Sequence, residues 1–146
     1  MSKRPAAVTF KGNPMTLVGP ALKAGDPLPD FKVADTAAST VTLKDTPAKA
    51  RLFSVVPSLD TPVCGIQTKK FSDAVGALGD KVATYTVSLD TPFAQKRFCT
   101  DSKIEGMKAL SDTHDHSFGN NFGVLLEGLA VPLLARSVFV PIRTAR

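Results

Sequence analysis

The chain has 146 residues, 43% of them apolar, and a formal net charge of +5. This length fits one domain with a substantial hydrophobic core. Because no apolar run reaches the roughly 20 residues of a membrane helix and no secretory signal opens the chain, we expect no membrane association. The basic residues are scattered among acidic ones without a nucleic-acid-binding motif, which argues against a nucleic-acid partner. Two cysteines are too few for a disulfide scaffold, so we expect a cytoplasmic protein with redox or metal chemistry.

The sequence pattern in the first third of the chain predicts short strands separated by turns. Alternating residues at 8–10 and 15–17 flank a Gly-Asn-Pro turn, which predicts an N-terminal β-hairpin. A proline-rich loop follows at 24–30, and residues 31–33 and 41–43 resemble two short strands around a turn.

The rest of the chain alternates between strand and helix patterns. The apolar run 51–56, which Pro57 ends, predicts a buried central strand. Residues 64, 68, 71, 75 and 78 repeat at helical spacing, which predicts a helix after this strand. The later predicted elements are a strand over 82–87, a helix over 92–99, a weak segment at 104–110, a short helix over 118–122 ended by Gly123, and a strand over 137–140. This order predicts one α/β domain over residues 1–146, with helices on both faces of a sheet and no internal repeat.

Cys64 lies where the central strand gives way to the first long helix. Thr61 is a suitable N-cap residue and Pro62 then occupies the first helical position, so Cys64 falls in the first turn. Unpartnered backbone N–H groups and the positive end of the helix dipole favour a thiolate there, and the thiolate is the nucleophilic form. The alternative is that Cys64 is simply a small buried apolar residue.

Several sequence blocks resemble one known family. The pattern Pro57-x-x-x-Thr61-x-x-Cys64 resembles the active-site signature of peroxiredoxins. The strings PSLDTPVC at 57–64, SLDTPFAQKRFC at 88–99 and LLARSVFV at 133–140 are similar to the thiol peroxidase branch. The resemblance covers most of residues 8–140. It implies a thioredoxin-like fold with a central mixed sheet, and reduction of hydrogen peroxide and organic hydroperoxides with electrons from thioredoxin. It also implies a cytoplasmic homodimer that needs no metal or organic cofactor.

The resemblance also assigns roles to individual residues. Cys64 would be the peroxidatic cysteine, which becomes a sulfenic acid. Thr61 would hold the peroxide through its hydroxyl, Arg136 would stabilise the thiolate, and Pro57 would shield the pocket from water. Cys99 would be the resolving cysteine, which forms an intramolecular disulfide with Cys64.

This disulfide implies a movement of the chain. The two Cα atoms must approach to about 4.4–6.8 Å, whereas we expect cysteines on two different helices to lie farther apart in the reduced protein. We therefore expect local unwinding in each cycle, and Gly65 is suited to it because glycine weakens a helix.

Other interpretations compete with these assignments. A non-catalytic redox sensor or interaction protein could use the same disulfide, whereas a general disulfide reductase is disfavoured because the chain has no C-x-x-C motif. Asp112, His114 and His116 could suggest a metal site, but their spacing favours a solvated loop. Apolar residues at 118–126 are expected to be core.

The end of the chain departs from the family pattern. After LLARSVFV the sequence reads PIRTAR at 141–146, where family members continue with a strand and a long helix. We therefore expect a C-terminally shortened domain with lower stability and a tendency to self-associate.

Overall fold

The computed structural model describes residues 3–10, 12–22, 29–46, 50–59, 62–76, 82–104, 107–129 and 132–140. Its strands are β1 (Lys3–Phe10), β2 (Asn13–Val18), β3 (Lys32–Ala34), β4 (Thr40–Thr42), β5 (Ala50–Val55), β6 (Val82–Ser88), β7 (Lys108–Ser111), β8 (Leu125–Glu127), β9 (Leu133–Leu134) and β10 (Ser137–Phe139). Its helices are α1 (Pro62–Gly76), α2 (Pro92–Asp101) and α3 (Ser117–Phe122), with a 3₁₀ turn at Leu43–Asp45. No described helix combines the length and apolar character needed to cross a lipid bilayer.

A six-stranded mixed sheet forms the centre of the molecule. Its strand order is β10-β5-β6-β7-β3-β4, in which β5, β6 and β7 run parallel and their outer neighbours run antiparallel. Because β5, β6 and β7 are adjacent and successive, right-handed crossovers place α1 and α2 on the same face. All three helices therefore begin at the edge where these parallel strands end.

The two faces of β5 carry different helices, as predicted. Phe53 packs against Phe118 of α3 with ring centroids 5.7 Å apart. Its neighbour Ser54 points to the opposite face, since successive strand residues alternate, and there its hydroxyl accepts a hydrogen bond from Gln67 of α1 at 3.3 Å. The predicted core at 118–126 is confirmed, because Phe118, Phe122, Val124 and Leu126 are buried.

A second, four-stranded sheet lies beside the central one, in the order β1-β2-β8-β9. The predicted N-terminal hairpin is β1 with β2. Strands β8 and β9 escape sequence analysis because segments of two or three residues are too short to show a periodicity. Leu17, Leu126 and Leu134 are buried and join this sheet to the main core.

Element boundaries differ from the predictions in a few places. The strand predicted at 41–43 ends at Thr42, and Leu43 begins the 3₁₀ turn because the Asp45 carboxylate accepts the Thr42 backbone N–H at 2.9 Å. The weak segment at 104–110 overlaps β7, which runs one residue further to Ser111. The short helix α3 ends as predicted at Gly123, whose φ of 71° suits glycine.

Candidate active site

The start of α1 is the centre of the candidate site. The helix begins at Pro62, as predicted, so Cys64 is its third residue. Backbone N–H groups of a first helical turn have no partner within the helix, and the helix dipole is positive there. Thr61 and the side chain of Cys64 lie outside the described part of the chain, so the predicted N-cap and the predicted thiolate contacts stay predictions.

The segment between β5 and α1 is anchored on both sides. The Val56 N–H donates to the Val87 carbonyl oxygen at 3.0 Å, which extends the β5–β6 pairing beyond β5. Pro57 follows and is half-buried. Leu59 is buried and packs with Val56 and with Phe98 of α2.

Arg136 lies between β9 and β10 and reaches α1. Its Nη1 donates to Gln67 Oε1 at 2.6 Å, and Gln67 Nε2 donates to Ser54 Oγ at 3.3 Å. Positions 64 and 67 are three residues apart in the helix and therefore share one face. The structure thus brings the Arg136 guanidinium to Gln67, which is three residues after Cys64 and on the same helix face.

Cys99 occupies a different environment. It is the eighth of ten residues in α2 and carries a free thiol. It is half-buried and packs with Phe98 against the buried side chains of Ile104 and Met107. Burial raises the pKa of the Cys99 thiol, so this residue is a poor choice for the first nucleophile.

The neighbours of the two cysteines meet. A Cβ added at Gly65 would lie 3.3 Å from Phe98 Cε1, so the aromatic ring rests against the first turns of α1. A second link runs from Lys69 Nζ to the Lys103 carbonyl oxygen at 3.4 Å. Helices α1 and α2 are therefore in contact just after Cys64 in α1 and just before Cys99 in α2.

Asp90 is a residue of the site that sequence analysis missed. Its Oδ1 accepts from the Ser58 hydroxyl at 2.7 Å, and its Oδ2 accepts from the Leu59 N–H at 2.7 Å and the Ser88 hydroxyl at 2.8 Å. One carboxylate thus holds the segment that leads into α1. A signal was available, because the five residues SLDTP occur at 58–62 and again at 88–92. The expectation of no internal repeat was wrong for this short element.

Gln95 supports the same network from inside α2. Its side chain is fully buried, and its Nε2 donates to Ser88 Oγ at 3.0 Å and to the Leu110 carbonyl oxygen at 2.9 Å. The Ser111 hydroxyl donates to the Asp90 carbonyl oxygen at 2.6 Å. The ends of β6 and β7 are therefore tied to the start of α2.

The loop with two histidines departs from the prediction at one residue. His114 is exposed as predicted, but Asp112 is fully buried, and its two oxygens accept the Phe118 and Gly119 N–H groups at 3.0 and 2.7 Å. Burial raises the pKa of Asp112 to about 6, although these hydrogen bonds oppose the shift. The carboxylate therefore anchors α3. Among the described residues, no three His, Cys, Asp or Glu side chains are grouped as a metal site requires.

Comparison with known proteins agrees with this arrangement. The family described as Redoxin matches residues 23–144. A thiol peroxidase of Halalkalibacterium halodurans is 53% identical over 135 residues, which are 92% of this chain and 80% of that protein. A thiol peroxidase of Bacillus subtilis is 48% identical, over 92% of this chain and 79% of its own length. The crystal structure of a peroxiredoxin-like protein from Aquifex aeolicus superimposes with a TM-score of 0.83 at 38% identity, covering 93% of this chain and 81% of that one.

The chain therefore belongs to the redoxin family and, within it, to the peroxiredoxins of the thiol peroxidase branch. It is a thiol-dependent peroxidase with the thioredoxin-like fold that its sequence blocks imply. The mixed sheet, the flanking helices and the N-terminal hairpin of that expectation are confirmed.

Proposed function

We propose that Cys64 is the peroxidatic nucleophile of this peroxidase. Its thiolate attacks the terminal oxygen of a hydroperoxide, the O–O bond breaks, and the departing alkoxide or hydroxide takes up a proton. The products are a sulfenic acid on Cys64 and an alcohol or water. The observation that carries the proposal is the third position of Cys64 in α1, at the edge where the parallel strands end.

Arg136 would supply the positive charge of the site. Its hydrogen bond to Gln67 holds the guanidinium on the Cys64 face of α1. A cation placed there favours the thiolate over the thiol and stabilises the charge that develops on the leaving oxygen. Thr61 would bind the peroxide through its hydroxyl, and Pro57, at the end of β5, would limit the access of water.

Cys99 would complete the cycle as the resolving residue. Its thiolate attacks the sulfenic sulfur of Cys64, hydroxide leaves as water after protonation, and an intramolecular disulfide forms. A dithiol reductant, which we propose to be thioredoxin, then restores both thiols. The contact between Phe98 and Gly65 supports this pairing because it joins the two helices beside both cysteines. We also propose that the enzyme works as a cytoplasmic homodimer.

The resolving step would require unwinding of α1 or α2. Each cysteine lies within a regular helix, in the first turn of α1 and the last turns of α2. We expect backbone amides of residues 61–70, except Pro62, which has no N–H, to exchange with solvent faster in the disulfide form than in the reduced form. Equal exchange rates in the two forms would contradict the unwinding.

Peroxide consumption driven by a thioredoxin system tests the proposal. The unmodified chain should consume many equivalents of hydrogen peroxide. Cys64→Ser should abolish turnover, whereas Cys99→Ser should undergo one oxidation without thioredoxin-driven recycling. Sustained turnover by Cys64→Ser would refute the assignment. A single oxidation without turnover in the unmodified chain would instead indicate a redox sensor.

A further inference from the structure

We infer that Asp90 is a positioning residue for Cys64. It lies on the loop that leads into α2, yet its carboxylate binds the loop that leads into α1. The inference rests on the proposed function in one respect, namely that Cys64 is the reacting residue. Asp90 acts on it through the backbone that precedes α1.

The contacts fix the α1 loop at two points. Ser58 Oγ and the Leu59 backbone nitrogen both donate at 2.7 Å, each to a different carboxylate oxygen. The Leu59 side chain is buried at the same time. Because Leu59 stands three residues before Pro62, these contacts determine where α1 begins and where its first backbone N–H groups point.

Asp90 can serve as an anchor because it is itself held firmly. Its Oδ2 also accepts from Ser88 Oγ at 2.8 Å, and its backbone N–H donates back to that oxygen at 3.3 Å. Its carbonyl oxygen accepts from Ser111 at 2.6 Å, and the next residue, Thr91, caps α2. The Asp90 side chain therefore fixes the position of the α1 loop relative to β6, β7 and α2.

Two substitutions separate geometry from charge. Asp90→Ala removes all three contacts of the carboxylate. Asp90→Asn keeps the shape: its amide oxygen can accept from Leu59 and Ser88, and its amide nitrogen can donate to Ser58 Oγ. A positioning role requires that Asn restores most of what Ala loses.

A matched control exists in another turn. One oxygen of Asp35 accepts the Ala37 and Ser39 N–H groups, both at 2.9 Å, in the β3–β4 turn. That turn lies at the far edge of the central sheet from β5. Asp35→Ala therefore removes a comparable carboxylate anchor without touching the start of α1.

The test is the pH profile of Cys64 alkylation by iodoacetamide, measured on the full chain with Cys99→Ser so that one thiol reacts. Asp90→Ala should raise the midpoint of the profile by about half a pH unit or more, because displaced N–H groups stabilise the thiolate less. Asp90→Asn should restore most of the original midpoint, and Asp35→Ala should leave the midpoint unchanged. The rate constant for oxidation by hydrogen peroxide should fall at least about tenfold in Asp90→Ala alone.

Each outcome decides the matter. An unchanged midpoint in folded Asp90→Ala, or an equal shift in Asp35→Ala, overturns the inference. If Asp90→Ala does not fold, Ser58→Ala removes one contact and should shift the midpoint in the same direction by a smaller amount; no shift there overturns the inference as well. A shifted midpoint in a chain that fails to reduce peroxide would refute the proposed function while supporting the role of Asp90.

Discussion

Helices α1 and α2 both begin at the proline of the same five-residue sequence, SLDTP. They differ in how far along the helix the cysteine lies. In α1 the cysteine is the third helical residue, whereas in α2 it is the eighth. The α2 start shows how the sequence works: Thr91 Oγ1 accepts the Ala94 N–H at 3.2 Å, and Pro92 occupies the first position. The same opening can therefore precede a cysteine in the first turn of a helix or one in its last turns, where Cys99 is half-buried.

The comparison explains a division of labour. Position 64 lies in the first turn of α1, where backbone N–H groups have no partner within the helix and favour a thiolate. Cys99 lacks them, and burial raises the pKa of its thiol. This difference supports the proposed roles of the two cysteines, in which Cys64 would attack peroxide and Cys99 would later attack sulfur.

Removal of the Arg136 guanidinium tests what a positive charge adds to the reactivity of Cys64 at the start of α1. Arg136→Ala should lower the rate constant for Cys64 oxidation by hydrogen peroxide about 100-fold, because the thiolate and the leaving oxygen lose a positive partner. Stopped-flow measurement with excess peroxide gives this constant. Arg97→Ala, which removes an exposed arginine of α2 that pairs with Asp101 at 3.9 Å, is the control and should have little effect. An equal fall in this rate constant in the two variants would show that Arg136 has no specific role at the site.

Phe98 tests the contact between the two helices. Phe98→Ala should lower the free energy of unfolding by about 2–3 kcal/mol, because the ring packs with Val56 and Leu59 on one side and with Ile104 and Met107 on the other. Urea denaturation measures this loss. Phe93→Ala, on the same helix but with a side chain 76% exposed, should cost under about 0.5 kcal/mol. A similar cost for both would mean that Phe98 does not join the helices.

A cysteine moved to the start of α2 measures how much the helix opening contributes alone. Ala94 corresponds to Cys64, since each is the third residue after its threonine. With Cys64→Ser and Cys99→Ser, the thiol of Ala94→Cys should react with iodoacetamide at neutral pH about tenfold faster than that of Cys99 in Cys64→Ser. Thr100→Cys in the same double-serine background controls for exposure. If its thiol reacts as fast as that of Ala94→Cys, accessibility rather than helix position explains the rate.

The third helix provides a contrast with a titratable anchor. Helix α3 begins at Ser117, after the N-cap residue His116 in a left-handed conformation, and is held by the buried Asp112 carboxyl. Burial raises the pKa of Asp112 to about 6, above the 3.8 of an unperturbed aspartate, so the folded state binds a proton first as pH falls. This group therefore contributes stability at low pH and loses that contribution as pH rises through about 6.

The expected change is small but has a definite sign. The free energy of unfolding of the unmodified chain, minus that of Asp112→Asn, should increase by about 1 kcal/mol between about pH 7.5 and 5.5. Urea denaturation at both pH values measures it. A difference that decreases on acidification would show that the hydrogen bonds to Phe118 and Gly119 outweigh burial.

Much of the local structure could be predicted from the sequence, but the contacts between distant segments could not. The apolar run before Pro57, the Thr-Pro helix starts and Gly123 predict local structure because their effects act within a few residues. Strands β8 and β9 were missed because their existence depends on pairing with β2 and with each other. The role of Asp90 was missed for a similar reason: its partners Ser58 and Leu59 are some 31–32 positions away along the chain.

The shared carboxylate also limits how such a protein can evolve. Because Asp90 serves the loop before one cysteine while belonging to the loop before the other, a substitution in either loop alters the surroundings of both helices. A change beside one cysteine is then expected to affect the other, so that compensating substitutions would have to arise together.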